Sequence, residues 1–486
     1  MKTRTEKDSM GRIEVPSDAL YGSFTQRASQ NFQLNKEKSH RIFIRSLGIV
    51  KKAAALANMK TGSLDKKLGD AIVYASDLVI EGKVDPDFPL NYFQAGAGTP
   101  FNMNANEVIA NIANKKLGGN LGEYKLVHPN NHVNMSQSSN NFTPTVIRVA
   151  CLLLLNDFNK ELEKLEESLK AKAWQYKDVL KIGRTHLEDA VPITFAQVFN
   201  AYAASLKKSQ QKVKQAAGWL LEVGLGGTAI GTGINTHPDF NKEATKALSS
   251  LTGFNFVTTS DNVELTWSMS AFLGFSQSLA LLATELNKIA NDLRLLNSGP
   301  HAGIGEIILE EVEPGSSIMP GKVNPSIPEA VNMVCFQVLG NNHAIEAAAN
   351  AGQLELNVMT PVIAYNLIFS LELLTNSFKM FRALCIDTLS MNKIRASELL
   401  GKSLSLATAL NPYIGYEVAA QIVNITLKEG KTLKEVVLEN KILSAEALGK
   451  ILDAKKMTMP SVVDKRLAAE VKNSEGYKKF REKVLG

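Results

Sequence analysis

The sequence predicts a mainly all-α protein of three domains, organised on a long central helix bundle. Three observations carry this. Apolar residues recur at three- and four-residue steps through long stretches of residues 141–389, with few prolines to interrupt them. Polar, glycine-bearing clusters are concentrated in the connections between those stretches. A chain of 486 residues, 45% apolar and 21% charged, is also long and ordinary enough to fill a large core in two or three domains.

Residues 1–140 are expected to form an α-rich N-terminal domain. Residues 46–59, 64–80 and 104–117 show helical spacing, and Thr61-Gly62-Ser63, residues 95–99 and Gly118-Gly119 punctuate them. Residues 141–389 are expected to form the central domain. Phe158, Leu162, Leu165 and Leu169 mark one helix face, residues 262–296 run without proline, and residues 336–389 read as helix with a kink at Pro361. Helices this long and this apolar need more cover than one chain supplies, so other subunits are expected on their faces. Residues 390–486 read as a smaller helical domain with Lys-Glu pairs and a lysine-rich end.

A net charge of +6 is a small excess, and Lys and Glu alternate along residues 159–172 instead of forming a basic block. Nucleic acid is therefore not an expected partner. Cys151, Cys335 and Cys385 are scattered through apolar helical sequence, without the pairing of a disulfide scaffold or the spacing of metal ligands, and read as reduced core residues. Residues 1–7 are charged, and apolar runs such as residues 149–155 are too short to span a bilayer. The expectation is a cytoplasmic protein with no membrane partner.

The stretch richest in chemistry is Gly315-Ser-Ser-Ile-Met-Pro-Gly-Lys-Val-Asn-Pro325, which has no acidic side chain. Gly315 and Gly321 permit backbone geometry in which successive N–H groups converge, Lys322 adds a positive charge and Asn324 a neutral donor. Such a loop suits an anion, with a carboxylate as the expected guest. Three other polar segments accompany it: Gly96-Ala-Gly-Thr99 with Asn102, Asn104 and Asn106; His128-Pro-Asn-Asn-His132 continuing through residues 136–140; and Gly183-Arg-Thr-His186. Together they offer hydroxyl and amide donors, a lysine, histidine and hardly any carboxylate, which fits a small dicarboxylate. No HExxH, CxxC, GxxxxGK[ST] or strand-linked GxGxxG is present, so no metal and no nucleotide cofactor is expected.

Residues 315–325 resemble the signature of the aspartase/fumarase superfamily of lyases, and the other three segments are similar to that family's remaining active-site segments in the same order. The resemblance runs from residues 14–22 to residues 409–416. It implies a homotetramer with a shared central bundle, each site being assembled from three subunits, and reversible anti-elimination of ammonia or water from a succinate derivative to give fumarate. It also implies roles. Ser317 would be the general base, and a dianionic enediolate would form next to the abstracted proton, so the site must stabilise concentrated negative charge. Lys322 and Asn324, with Thr185, would grip the C1 carboxylate, while Thr99, Ser138 and Ser139 would bind the carboxylate where the enediolate forms. Asn140 and His186 would lie near the leaving group, and Glu329 would orient His186 or an ordered water. Asn102 and Asn106 are read as backbone-capping residues and Asn104 is left open, while His128, Asn130 and Asn131 resemble a secondary anion site.

Within the family, Ala97, residues 122–124, residues 327–331 and residues 351–362 resemble aspartate ammonia-lyases. Thr25-Gln-Arg27, Ser138-Ser139 and Glu313-Pro-Gly315 resemble class II fumarases. The longest uninterrupted similarity, residues 326–363, favours aspartate as substrate, with malate as the alternative. Asn141 and Asn131 stand where the family usually has Asp, and His301 where Arg is common. Superfamily members also serve as eye-lens structural proteins, so a catalytically inactive homologue is the reading of a different class.

Overall fold

The computed structural model describes residues 2–486. The chain begins with a hairpin, β1 (Thr3–Asp8) and β2 (Gly11–Pro16), followed by α1 (Ser23–Asn31), α2 (Arg41–Lys60), α3 (Lys66–Ile80) and α4 (Thr99–Lys116). Then come α5 (Ser139–Gln175), a second hairpin of β3 (Leu180–Thr185) and β4 (Glu188–Thr194), and α6 (Phe195–Ala217). A short parallel pair, β5 (Glu222–Val223) and β6 (Val257–Thr258), flanks α7 (Phe240–Thr252). The remaining long helices are α9 (Ser270–Leu296), preceded by α8 (Asn262–Trp267), then α10 (Ser326–Asn350) and α11 (Thr360–Phe381). This is the mainly helical fold that the spacing predicted.

The chain divides into two compact units, one of Met1–Leu162, Lys208–Asn287 and Asn332–Phe378, the other of Glu163–Lys207, Lys288–Val331 and Lys379–Gly486. Helices α5, α6, α9, α10 and α11 each contribute residues to both.

In the first unit, α2 and α3 form a helical hairpin. Asp65 starts α3 by accepting from the Lys67 and Leu68 N–H groups, donors that a new helix leaves unpaired. The long helices meet through Phe158 and Phe378, edge to face at 5.2 Å, through Ser276 to Asn342 at 2.8 Å and through Asn341 to Ser370 at 2.9 Å. Helix α1 is anchored by Glu107 of α4, whose buried carboxylate accepts from the N–H groups of Gly22, Phe24 and Thr25 and from the Thr25 hydroxyl. With Glu6, which accepts from the Ser23 N–H at 2.9 Å, it satisfies the opening turn of the helix.

In the second unit, Glu306 is fully buried between Lys181 at 3.2 Å and Arg184 at 2.9 Å, tying β3 to the segment after α9. The C-terminal helices, among them Tyr416–Glu429, surround a core of their own that includes Leu410, Ile422, Val436 and Phe480. All three cysteines are buried and free. Among the described residues no helix is long and apolar enough to cross a membrane.

Three expectations need correction. The N-terminal segment contains a hairpin that helical spacing could not reveal, because its strands are short and alternate charged with β-branched residues. Residues 262–296 are two helices, since Ser268 is extended and Asp261 caps only the first. Pro361 does not kink a helix. It sits in the first turn of α11, where its missing N–H costs nothing.

Candidate active site

The structure collects the expected residues in three groups. The first lies where the N-termini of α4 and α5 meet. Gly96-Ala97-Gly98 forms a tight turn in which Ala97 and Gly98 have φ of 59° and 70°. A Cβ on Gly98 would stand 2.8 Å from the Thr143 side chain of α5, and one on Gly96 would stand 2.6 Å from Val358, so the turn is clamped on both sides. The Ala97 N–H donates to the Val358 carbonyl at 2.7 Å. Strain held at a non-glycine residue beside a cluster of polar groups is a mark of a functional site. Thr99 is the first residue of α4, and Asn102, one turn on, donates to the Ser139 hydroxyl at 3.1 Å.

At the start of α5, Ser138 caps the helix by accepting from the Asn140 N–H at 3.2 Å. The Asn140 amide donates to the Ala229 carbonyl and the Asn141 amide to the Thr228 carbonyl, both at 2.7 Å. The glycine-rich connection after α6 therefore holds these two amides in one orientation each. Asn141 makes a bond that an ionised Asp could not make, because only its NH2 can donate to a carbonyl.

The second group is the β3–β4 hairpin. Thr185 pairs with Glu188, leaving His186 and Leu187 as a two-residue turn with φ of 57° and 64°. Positive φ at both positions matches the right-handed twist of the strands and presents His186 at the exposed tip. Thr185 and His186 border a cleft of about 730 Å³ whose other walls include Pro192, Tyr202 and Asp292, and residues 315–325 contribute nothing to it.

The third group is the loop of residues 315–325. It closes on itself: the Gly315 N–H donates to the Lys322 carbonyl at 3.0 Å, the Lys322 ammonium donates to Asn324 Oδ1, and the Asn324 amide donates to the Gly315 carbonyl. A Cβ on Gly315 would lie 2.4 Å from the Lys322 carbonyl oxygen, so only glycine permits this crossing. Ser316 Oγ accepts from Ile318 and Met319 N–H groups and shapes the turn, while Ser317 stands exposed at its tip. Glu329 lies in the first turn of α10, with Arg294 at 3.8 Å.

Two other segments serve structure. Asn104 donates to the Asp87 carbonyl at 2.9 Å and the Asn106 amide faces Met103 Sδ at 3.5 Å, so neither caps its own helix. His128 Nδ1 accepts from the Asn130 and Asn131 N–H groups, engaging two donors that an anion there would use. Burial holds the His128 and His132 rings below the ordinary histidine pKa. Among the described residues no group of three or more His, Cys, Asp or Glu is placed to hold a metal ion.

One participant was missed by the sequence reading. Lys51 of α2 is fully buried and donates to Asn102 Oδ1 at 2.7 Å, Gln137 Oε1 at 2.9 Å and Asn134 Oδ1 at 3.2 Å, beneath Ser139. The available signal was a lysine one turn after Leu47 on the apolar stripe of its helix.

Comparison with known proteins identifies the family. A family model described as a lyase matches residues 11–340, and one for the fumarase C C-terminus matches residues 406–459. Class II fumarate hydratase of Brucella suis is 46% identical over 94% of this chain and 99% of its own. Aspartate ammonia-lyase of Pseudomonas aeruginosa is 46% identical over 96% of this chain and 98% of its own. The crystal structure of class II fumarase from Schistosoma mansoni superposes with a TM-score of 0.92 at 36% identity, covering 95% of this chain and all of the other. The fold and the matched models define a lyase. The chain belongs to the aspartase/fumarase superfamily.

Proposed function

We propose that this lyase is an aspartate ammonia-lyase, releasing ammonia from L-aspartate by reversible anti-elimination to give fumarate. The observation that carries the choice of leaving group is the orientation of Asn140. Its NH2 is committed to the Ala229 carbonyl, which leaves Oδ1 as the free end, an acceptor suited to a cationic amino group. Pro144, four residues on, also has no N–H to give the Asn140 backbone carbonyl, so a second oxygen of that residue lacks its helical partner.

In this reading Ser317 removes the C3 proton. A serine is a weak base, and its oxyanion needs backbone N–H groups and a cation nearby, which residues 315–325 offer in Lys322 and a glycine-bearing turn. The C1 carboxylate replaces Asn324 Oδ1 as the partner of Lys322, freeing Asn324 and Thr185 to donate as well. Thr99, Ser138 and Ser139 take the second carboxylate and stabilise the enediolate without adding negative charge of their own. His186 attends the leaving group, with Glu329 orienting it or a water. The protein acts as a homotetramer with sites completed by three subunits. The exposed Met333 and Phe336 on one face of α10, 67% and 58% accessible, support a further partner for that face. Turnover is assigned to the cytoplasm.

A class II fumarate hydratase activity is the second reading, favoured by the identity with the Brucella suis enzyme, which equals that with the Pseudomonas aeruginosa one. The test is to follow the ultraviolet absorbance of fumarate with and without ammonium. Loss that requires ammonium supports aspartate, and ammonium-independent conversion to malate establishes the hydratase. No turnover of any succinate derivative by a well-folded tetramer would leave the inactive structural homologue.

A further inference from the structure

Lys51 lies on the inner face of α2 among Leu47, Val50 and Ala54, all buried, and has no carboxylate among its hydrogen-bond partners. Its three acceptors are side-chain amide oxygens, and the ring of Phe142 lies under the amine at 4.0 Å. The orientation of each amide is determined by its other bonds. Gln137 spends its NH2 on the Val133 and Met135 carbonyls, so its oxygen faces Lys51. Asn134 donates to the Gln137 carbonyl, so its oxygen is likewise turned inward. Only the protonated amine has the three N–H groups to donate to all three oxygens at once. Burial pulls the Lys51 pKa well down, while the three amide oxygens and the Phe142 face oppose that by solvating the cation.

The consequence falls on Asn102. An ammonium cannot accept a hydrogen bond, so Asn102 must turn Oδ1 toward Lys51 and its NH2 the other way. That NH2 meets Asn134 Oδ1 at 3.0 Å and Ser139 Oγ at 3.1 Å. With a lone pair of Oγ occupied by this donor, the Ser139 proton is directed elsewhere. We infer that Lys51 is a positioning residue that acts through Asn102 to keep the Ser139 hydroxyl a donor toward the substrate carboxylate. This rests on the proposed role of Ser139 in binding that carboxylate. The device places a full positive charge three hydrogen bonds from the anion, where it polarises the hydroxyl without forming an ion pair that would hold the product.

The relay predicts a particular coupling. If Lys51 acts through Ser139, then removing either should cost the same interaction, and removing both should cost little more. The probe is succinate, which has both carboxylates and no leaving group, so its affinity does not depend on whether aspartate or malate is the substrate. Calorimetric titration of the tetramer should show about a tenfold loss for Ser139→Ala and for Lys51→Met, and about the same tenfold loss for the double variant. Multiplying losses, about a hundredfold in the double variant, would overturn the relay while leaving Ser139 as a ligand of the carboxylate. Unchanged affinity in Ser139→Ala would overturn the binding role of Ser139 and the relay with it.

Because Lys51→Met strands three buried oxygens and can cost folding, Asn102→Asp provides a second arm. It keeps an acceptor for Lys51 in the same place but removes the NH2 that faces Ser139. The same loss of succinate affinity, not enlarged by adding Ser139→Ala, is expected. Native affinity in Asn102→Asp would contradict the inference.

Discussion

The Glu306 carboxylate meets the Arg184 guanidinium at 2.9 Å, two residues before His186. Glu306 is fully buried and also holds Lys181, so one anion fixes the base of the strand that carries Thr185 and His186. Removing one partner from a buried ionic cluster costs about 3–5 kcal/mol, because the remaining charges are left unpaired in a low dielectric. Glu306→Gln should therefore lower the thermal midpoint by several degrees and raise KM more than it lowers kcat. Unaltered stability would mean that water already solvates the two cations.

Gly315→Ala should separate loop geometry from folding. The added Cβ would overlap the Lys322 carbonyl oxygen at 2.4 Å and the Asn324 N at 2.6 Å, breaking the crossing that shapes residues 315–325. The loop is largely exposed, so global stability should change by less than about 1 kcal/mol. Turnover should fall on the order of a hundredfold if the placement of Ser317 matters as proposed. Steady-state kinetics alongside a melting curve checks both halves.

The N-terminal hairpin supplies a prediction in pH. Hydrogen bonds from Arg27 hold the Asp8 carboxyl below its ordinary pKa of 3.8. A carboxyl whose folded pKa is depressed contributes stability that is present above the unfolded value and lost as pH falls through the folded one. The pair is partly solvated, so its contribution is below about 1 kcal/mol. Asp8→Asn should thus be slightly less stable than the parent at neutral pH, and the difference should shrink as pH falls below the ordinary value of 3.8 and vanish once pH is below the depressed folded value. Denaturant midpoints across that range would show it, and a difference that persists in acid would contradict it.

Ser317→Ala should abolish turnover and leave the melting temperature and the oligomer unchanged, since the side chain stands exposed at the tip of its loop. A near-normal rate would remove Ser317 from the base role.

The helices were legible because a 3.6-residue apolar period survives over residues 46–59, 64–80, 104–117 and 157–173, each of which falls within α2, α3, α4 or α5 apart from the first two residues of the second and the last residue of the third. Glycine at 315 was legible as a residue whose backbone freedom the loop uses, but its close approach to the Lys322 carbonyl was not. The N-terminal hairpin was not, since six-residue strands with charged faces leave little periodic signal. Lys51 was not legible for a different reason. Its partners lie 51, 83 and 86 residues away, so a lysine on an apolar helix stripe signals burial but not what it holds until those amides are placed around it. The hairpin at His186 shows the same limit, because strand pairing and the positive φ of a histidine depend on its partner strand.

The most direct measurement runs the reaction toward fumarate. L-aspartate and L-malate are supplied separately to the purified enzyme at neutral pH, and the rise in fumarate absorbance gives kcat/KM for each. The proposed function predicts that aspartate is preferred by at least about two orders of magnitude, the discrimination expected of a site built around a cationic leaving group. Preference for malate by a similar factor would contradict it and assign the site to hydration.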